Sequence, residues 1–169
     1  MDRSIPRRSF LAGAATTSSL ALSAPLSAGA RSIAKNEKFA VGVIGVGSLG
    51  NGMHVSRMLS FPDVDLVAVA DPDKRHVDRA VARREGITGY RDYRRLLDRK
   101  DLDAFIIATP DHWHAICSIH AMESGLDVYC EKPLTLTIGE GRAIADAAAR
   151  YGTVFQTGTQ QRSGGQFRQ

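Results

Sequence analysis

The turn Gly45-Val46-Gly47-Ser48-Leu49-Gly50 spaces three glycines as GxGxxG directly after the apolar run from Phe39 to Ile44. Where a strand turns into a helix, that spacing has a chemical use. Gly45 permits the tight turn, Gly47 lets the backbone approach a pyrophosphate because it carries no side chain, and Gly50 lets the helix pack on the strand. The first free N–H groups of the helix, around Ser48 and Leu49, then face an anion, and the helix dipole adds to the attraction. Glycine-rich turns are common, so the loop needs a second feature. The next apolar run, Val64 to Ala70, supplies one by ending in Asp71, 21 residues past Gly50. A carboxylate at that spacing accepts hydrogen bonds from ribose hydroxyls and repels a 2′-phosphate, which favours NAD over NADP. Lys74 and Arg75 stand nearby and keep NADP open. Asp71-Pro72-Asp73 also reads as a helix-start turn in which one carboxylate caps the helix, and the two roles are compatible.

Two later segments concentrate reactive side chains at the ends of apolar runs: Thr109-Pro110-Asp111-His112-Trp113-His114 and Cys130-Glu131-Lys132-Pro133. His112, His114 and Asp111 raise a metal site, but residues two apart on a helix face different directions, whereas helical zinc pairs stand four apart. The expectation is no metal, with these histidines either rimming a cofactor site or packing at a helix start. Glu131-Lys132, read alone, fits a surface ion pair at a strand end. His54, His76 and His120 fall on predicted helices and carry no assigned chemistry. Cys117 and Cys130 lie in apolar stretches and outside any CxxC pair, which fits buried thiols, with a disulfide or a reactive thiol as the alternatives.

The elements that must hold these residues alternate. Strand candidates are Phe39 to Ile44, Val64 to Ala70, Thr88 to Tyr90, Asp103 to Ala108, Leu126 to Cys130 and Thr153 to Gln156. Helix candidates between them are Leu49 to Ser60, Asp73 to Glu85, Asp92 to Arg99, Asp111 to Ser124 and Ile138 to Tyr151. Continuous apolar strands alternating with amphipathic helices predict an α/β fold, a doubly wound and mostly parallel Rossmann sheet with helices on both faces. Right-handed crossovers make 3-2-1-4-5-6 the leading strand order. Gly125 and Gly152 follow helices where left-handed caps belong.

Composition agrees with a globular chain of 169 residues, 43% apolar and 24% charged. The net charge of +4 falls to +2 once the first thirty residues are set aside, and Arg83-Arg84 and Arg94-Arg95 sit among acids as solvated faces, so no nucleic-acid partner is expected. Residues 1–30 carry Arg7-Arg8 ahead of an apolar stretch diluted by serine, threonine and Pro25, ending in Ala28-Gly29-Ala30. This is similar to a twin-arginine signal, implying the translocation machinery as a partner, export in a folded state and a periplasmic or cell-envelope location, without stable membrane insertion. Residues 31–38 read as a linker.

Taken together, the glycine loop, the Thr109-to-His114 segment and Tyr129-Cys130-Glu131-Lys132-Pro133 resemble the Gfo/Idh/MocA family of oxidoreductases. Gly158-Thr159-Gln160-Gln161-Arg162-Ser163 is similar to the stretch where members leave the nucleotide domain. The resemblance implies a nucleotide domain over residues 39–158 and the start of a substrate domain, truncated, at 159–169. The family's C-terminal open-sheet domain would be absent and the chain a fragment, able to oligomerise only through that missing domain. It implies hydride transfer between nicotinamide and a sugar or polyol. An NAD-dependent glycosidase is the alternative, as is a fragment that binds nucleotide without turnover. Lys132 would be catalytic, beside nicotinamide and the substrate hydroxyl. Glu131 would face the nicotinamide side or orient Lys132, Thr109 and Pro110 would line the dinucleotide, and His112 and His114 would lie near its nicotinamide half.

Overall fold

The computed structural model describes residues 38–167. The expected export leader at 1–30 and residues 31–37 of the expected linker lie outside the described residues. Six strands form one parallel sheet: β1 (Phe39–Ile44), β2 (Val64–Ala70), β3 (Thr88–Tyr90), β4 (Ala104–Ile107), β5 (Asp127–Glu131) and β6 (Phe155–Gly158). Their order is β3-β2-β1-β4-β5-β6, the doubly wound arrangement expected from the alternation.

The helices differ more from expectation than the strands do. The first, α1, opens as a π-helical stretch (Gly50–Val55) and continues as α-helix (Ser56–Ser60). Two side chains serve that wide turn: Ser56 Oγ donates to the carbonyl of Gly52, and Arg83 donates to the carbonyl of Asn51. Helix α2 (Lys74–Val81) starts one residue after its expected bound, with Asp73 outside it as the N-cap, and ends four residues before the expected Glu85, with Ala82 as its C-cap. Helix α3 (Arg94–Leu97) loses its first residues to an Asp92 carboxylate that accepts the Arg94 N–H. A 3₁₀ turn (Asp111–Trp113) precedes α4 (His114–Glu123). Helix α5 (Ile138–Tyr151) has the expected bounds, set by a capping box between Thr137 and Glu140 and by Gly152 in the left-handed region. Strand β6 begins two residues late. The Val154 N–H donates to the Asp127 side chain, so the ladder proper starts at Phe155 opposite Val128.

Both sheet faces are covered. On one, Val41, Val43, Leu66, Val69 and Ile106 pack with Val55 of α1 and with Val77 and Ala80 of α2. On the other, Ile44, Phe105 and Ile107 pack with Leu96 of α3, with Cys117, Ala121 and Met122 of α4, and with Ile144 and Ala147 of α5. Phe105, Ile106 and Ile107 thus alternate faces along β4, as a strand buried on both sides must. Both cysteines are buried and unpaired, and burial pushes the Cys117 thiol up to about 12 and that of Cys130 to about 11. Neither is a thiolate at neutral pH, which removes the reactive-thiol reading. No helix among the described residues is long and apolar enough to cross a membrane.

Candidate functional site

All six strands run parallel, so the turns after β1, β2, β4 and β5 open at one edge of the sheet, where doubly wound folds place their ligands. The glycine loop follows β1. Gly45 has φ +86°, and a Cβ there would meet the Ala108 carbonyl and the Thr109 nitrogen at 2.7 Å. A Cβ on Gly50 would fall against the carbonyl oxygen of Gly45. These two glycines are demanded by packing. Gly47 is not: the nearest atom to its added Cβ is 3.7 Å away, so the missing side chain leaves backbone open at the loop. Ser48 and Leu49 are exposed at the start of α1.

After β2, Asp71 and Asp73 divide the work that the sequence left shared. Asp73 caps α2 by accepting the Arg75 N–H. The Arg75 guanidinium also grips it and holds its carboxyl well below the usual carboxylate range. Asp71 is buried and turns to the loop, where Oδ2 accepts the Val46 N–H at 3.0 Å. Its Oδ1 accepts the Asp73 N–H at 2.9 Å and faces His76 Nδ1 at 3.2 Å. Lys74 and Arg75, the two cations that kept a 2′-phosphate open, are paired with Asp78 and Asp73.

After β4, the Thr109 hydroxyl is buried without a hydrogen-bond partner, and Pro110 is exposed beside it. His112 is exposed, 3.7 Å from the Asp111 carboxylate. His114 behaves differently from its neighbour. Its ring is 1% exposed, with Nδ1 2.7 Å from the Pro133 carbonyl and Nε2 2.9 Å from the Thr109 carbonyl. It is a strut joining the end of β4 to the turn after β5, with no ring nitrogen left to face a ligand. Among the described residues no cluster of His, Cys, Asp or Glu side chains is arranged to hold a metal.

The turn after β5 corrects the ion-pair reading of Glu131 and Lys132. Glu131 is 2% exposed and points inward, with Oε1 3.0 Å from His54 Nε2 and Oε2 accepting the Lys132 N–H at 3.1 Å. Lys132 is exposed, and among the described residues its ammonium has no carboxylate partner. The Lys132–Pro133 peptide is cis. Burial pushes the His54 imidazole pKa down, and Glu131 recovers only part of that shift. Sequence reasoning missed both His54 and His76. The signal for His54 was its position four residues after Gly50, on the helix face that packs inward; for His76 no spacing signal was present.

Residues 39–159 match the family described as an oxidoreductase family with an NAD-binding Rossmann fold, Gfo/Idh/MocA. The chain belongs to the Gfo/Idh/MocA family. A curated relative, the alpha-N-acetylgalactosaminidase of Shewanella oneidensis, is 38% identical over 172 aligned positions, covering 86% of this chain and 37% of its own length. The crystal structure of myo-inositol 2-dehydrogenase from Lactobacillus plantarum superposes with a TM-score of 0.72 at 30% identity, over 78% of this chain and 39% of that one. The WlbA dehydrogenase of Chromobacterium violaceum, in complex with NADH and UDP-GlcNAcA, gives a TM-score of 0.75 at 25% identity over 80% and 39%. The chain thus spans less than half the length of these relatives.

As a Gfo/Idh/MocA member, the chain binds NAD on this Rossmann domain. Its residues suit that cofactor: the open backbone at Gly47 leaves room that a pyrophosphate would use, the buried Asp71 carboxylate would face ribose hydroxyls, and the Thr109 hydroxyl, unpartnered in the protein, would be available to a ligand.

Proposed function

We propose that this chain is the cofactor half of an exported enzyme that oxidises a carbinol carbon of a sugar or polyol. The observation that carries the reading is an exposed Lys132 ammonium beside a buried Glu131, hydrogen-bonded to His54 and the Lys132 backbone N–H, at the edge of the sheet where the glycine loop opens. When bound, the dinucleotide would supply a hydride acceptor. The protein's own part is to hold the dinucleotide by the Gly45–Gly50 loop, Asp71 and Thr109, to fix the Lys132 backbone through Glu131, and to offer the Lys132 ammonium to the substrate oxygen. There the ammonium stabilises developing negative charge and assists proton transfer. His112, at the exposed end of β4, contributes to the nicotinamide side of the site.

A second reading is favoured by the 38% identity to a relative named as an alpha-N-acetylgalactosaminidase. In it the same hydride step is transient, and the outcome is glycoside cleavage with the dinucleotide returned to its starting state. Both readings share the site and differ in what accumulates. Turnover is assigned to a longer polypeptide that includes a substrate domain, and dinucleotide binding to the part seen in this chain. Export through the twin-arginine route to the periplasm or cell envelope rests on Arg7-Arg8 and the stretch that follows them. Because that route carries folded proteins, it suits a cofactor acquired before export.

The test is to assay the longer protein with a panel of sugars, polyols and aryl glycosides while following NADH absorbance and glycoside release together. Net NADH formation supports the dehydrogenase reading, and release of aglycone without net NADH supports the glycosidase. In either case Lys132→Met should lower turnover by about 10²- to 10⁴-fold. Full activity in that variant would remove Lys132 from the chemistry.

A further inference from the structure

His76 lies in the first turn of α2, between the pyrophosphate loop and the ribose carboxylate. Its Nδ1 is 3.2 Å from Asp71 Oδ1. The same ring edge faces the middle glycine of the loop. A Cβ built on Gly47 would stand 3.7 Å from His76 Cε1 and 3.9 Å from Nδ1, with no other atom beyond its chain neighbours within 4 Å. His76 is therefore the side chain that closes the corner between Gly47 and Asp71, and a third of it remains exposed.

The hydrogen-bond capacity of Asp71 makes this corner informative. A carboxylate has about four acceptor positions, two on each oxygen. Oδ1 faces the Asp73 N–H and His76, and Oδ2 takes the Val46 N–H, which leaves one position open, on Oδ2. A ribose presents two hydroxyls. With Nδ1 turned to Asp71, His76 Nε2 stands 3.9 Å from Asp73 Oδ2, too far for a hydrogen bond, and so is left for a ligand hydroxyl, which can donate or accept. The flanking cations Lys74 and Arg75 are paired with Asp78 and Asp73.

We propose that His76 is a specificity-determining residue for the adenosine end of the dinucleotide, sharing with Asp71 the recognition of the two ribose hydroxyls. The corner built by Asp71, Asp73 and His76 sets an unpartnered ring nitrogen and the open position of Asp71 before those hydroxyls, and a 2′-phosphate brought there would face two carboxylates. Selection of NAD over NADP thus rests on a pair of residues rather than on the acid alone.

Calorimetric titration of NAD⁺ and NADP⁺ into the whole 169-residue chain at fixed pH and salt tests this, using the parent, His76→Ala, His76→Asn and His76→Arg. His76→Ala should lower the ratio of NAD⁺ to NADP⁺ affinity at least fivefold. His76→Asn, which keeps an amide N–H for Asp71 and a carbonyl acceptor beside it, should restore most of the ratio. His76→Arg, which substitutes donors, should raise NADP⁺ affinity at least fivefold. Ratios within twofold of the parent in both the Ala and Arg variants would overturn the proposal. If the Ala variant fails to fold by circular dichroism, equal ratios in the Asn and Arg variants would overturn it just as well. A parent that binds neither dinucleotide would contradict the cofactor assignment itself, whereas parental NAD⁺ binding with an unmoved ratio defeats only the role of His76.

Discussion

His54 and Glu131 meet at 3.0 Å, Nε2 to Oε1, across 77 residues of sequence, and join α1 to the end of β5. Both are buried, and the other Glu131 oxygen holds the Lys132 N–H. One carboxylate therefore couples the helix that begins at the glycine loop to the turn that presents Lys132. Removing the imidazole strands that carboxylate away from water. His54→Ala should cost about 2–4 kcal/mol in urea denaturation, and His54→Gln should recover a good part of it by returning an N–H donor. A loss in His54→Ala no larger than that of an ordinary surface substitution would show that the contact contributes little.

The same pair gives a pH dependence with a definite sign. Burial holds the folded His54 pKa below its ordinary 6.5, so between the two values the unfolded chain binds the extra proton. The stabilisation is fully present above 6.5 and is lost as pH falls through the lowered folded value. Melting curves taken downward from pH 7.5 should show a decline beginning near 6.5 that is shallower in His54→Gln. Parallel curves for the two proteins would contradict the assignment.

The three loop glycines should respond differently to alanine. In Gly50→Ala the methyl runs into the Gly45 carbonyl, backbone that cannot move aside, and stability should drop by about 3 kcal/mol. In Gly47→Ala the methyl meets nothing closer than 3.7 Å, so the fold should lose no more than about 1 kcal/mol. NAD⁺ affinity should nonetheless fall at least about tenfold as the methyl takes up space at the loop. Calorimetry beside thermal melting separates the two effects, and intact NAD⁺ binding in Gly47→Ala would mean that the open backbone there is not the pyrophosphate seat.

Thr109→Val replaces a buried hydroxyl that has no partner in the protein with a methyl of the same shape. The ligand-free chain should gain about 1 kcal/mol, because an unsatisfied buried polar atom is relieved. Dinucleotide affinity should fall in the same variant. A variant that loses stability and keeps its affinity would instead point to an internal partner for the hydroxyl.

The sheet was readable because its strands are continuous apolar runs bounded by polar turns, a pattern that fixes both length and burial. β1, β2 and β3 match the expected bounds at both ends. Helix ends were less legible where Asp73 and Asp92 set them through capping rather than through apolar period. In the site, Asp71 was visible from its spacing after the glycine loop, whereas Thr109, Glu131 and Lys132 stood out through the family resemblance, since Glu131-Lys132 read alone fits a surface ion pair. The roles of the histidines were not visible. His114 shares a segment with exposed His112 yet is the buried strut, while His54 and His76 meet their carboxylates only when helices fold back over the sheet. Spacing along one element cannot report a contact made between two.

Titrating NAD⁺ and NADP⁺ into the chain and its Asp71→Ala variant, with circular dichroism to establish that both are folded, tests the dinucleotide site most directly. The account predicts saturable NAD⁺ binding that is stronger than NADP⁺ binding in the parent. In the variant NAD⁺ should bind at least about tenfold more weakly, the loss expected for a hydrogen bond to a charged group, while NADP⁺ is little changed. A folded variant whose preference for NAD⁺ over NADP⁺ equals that of the parent would contradict it.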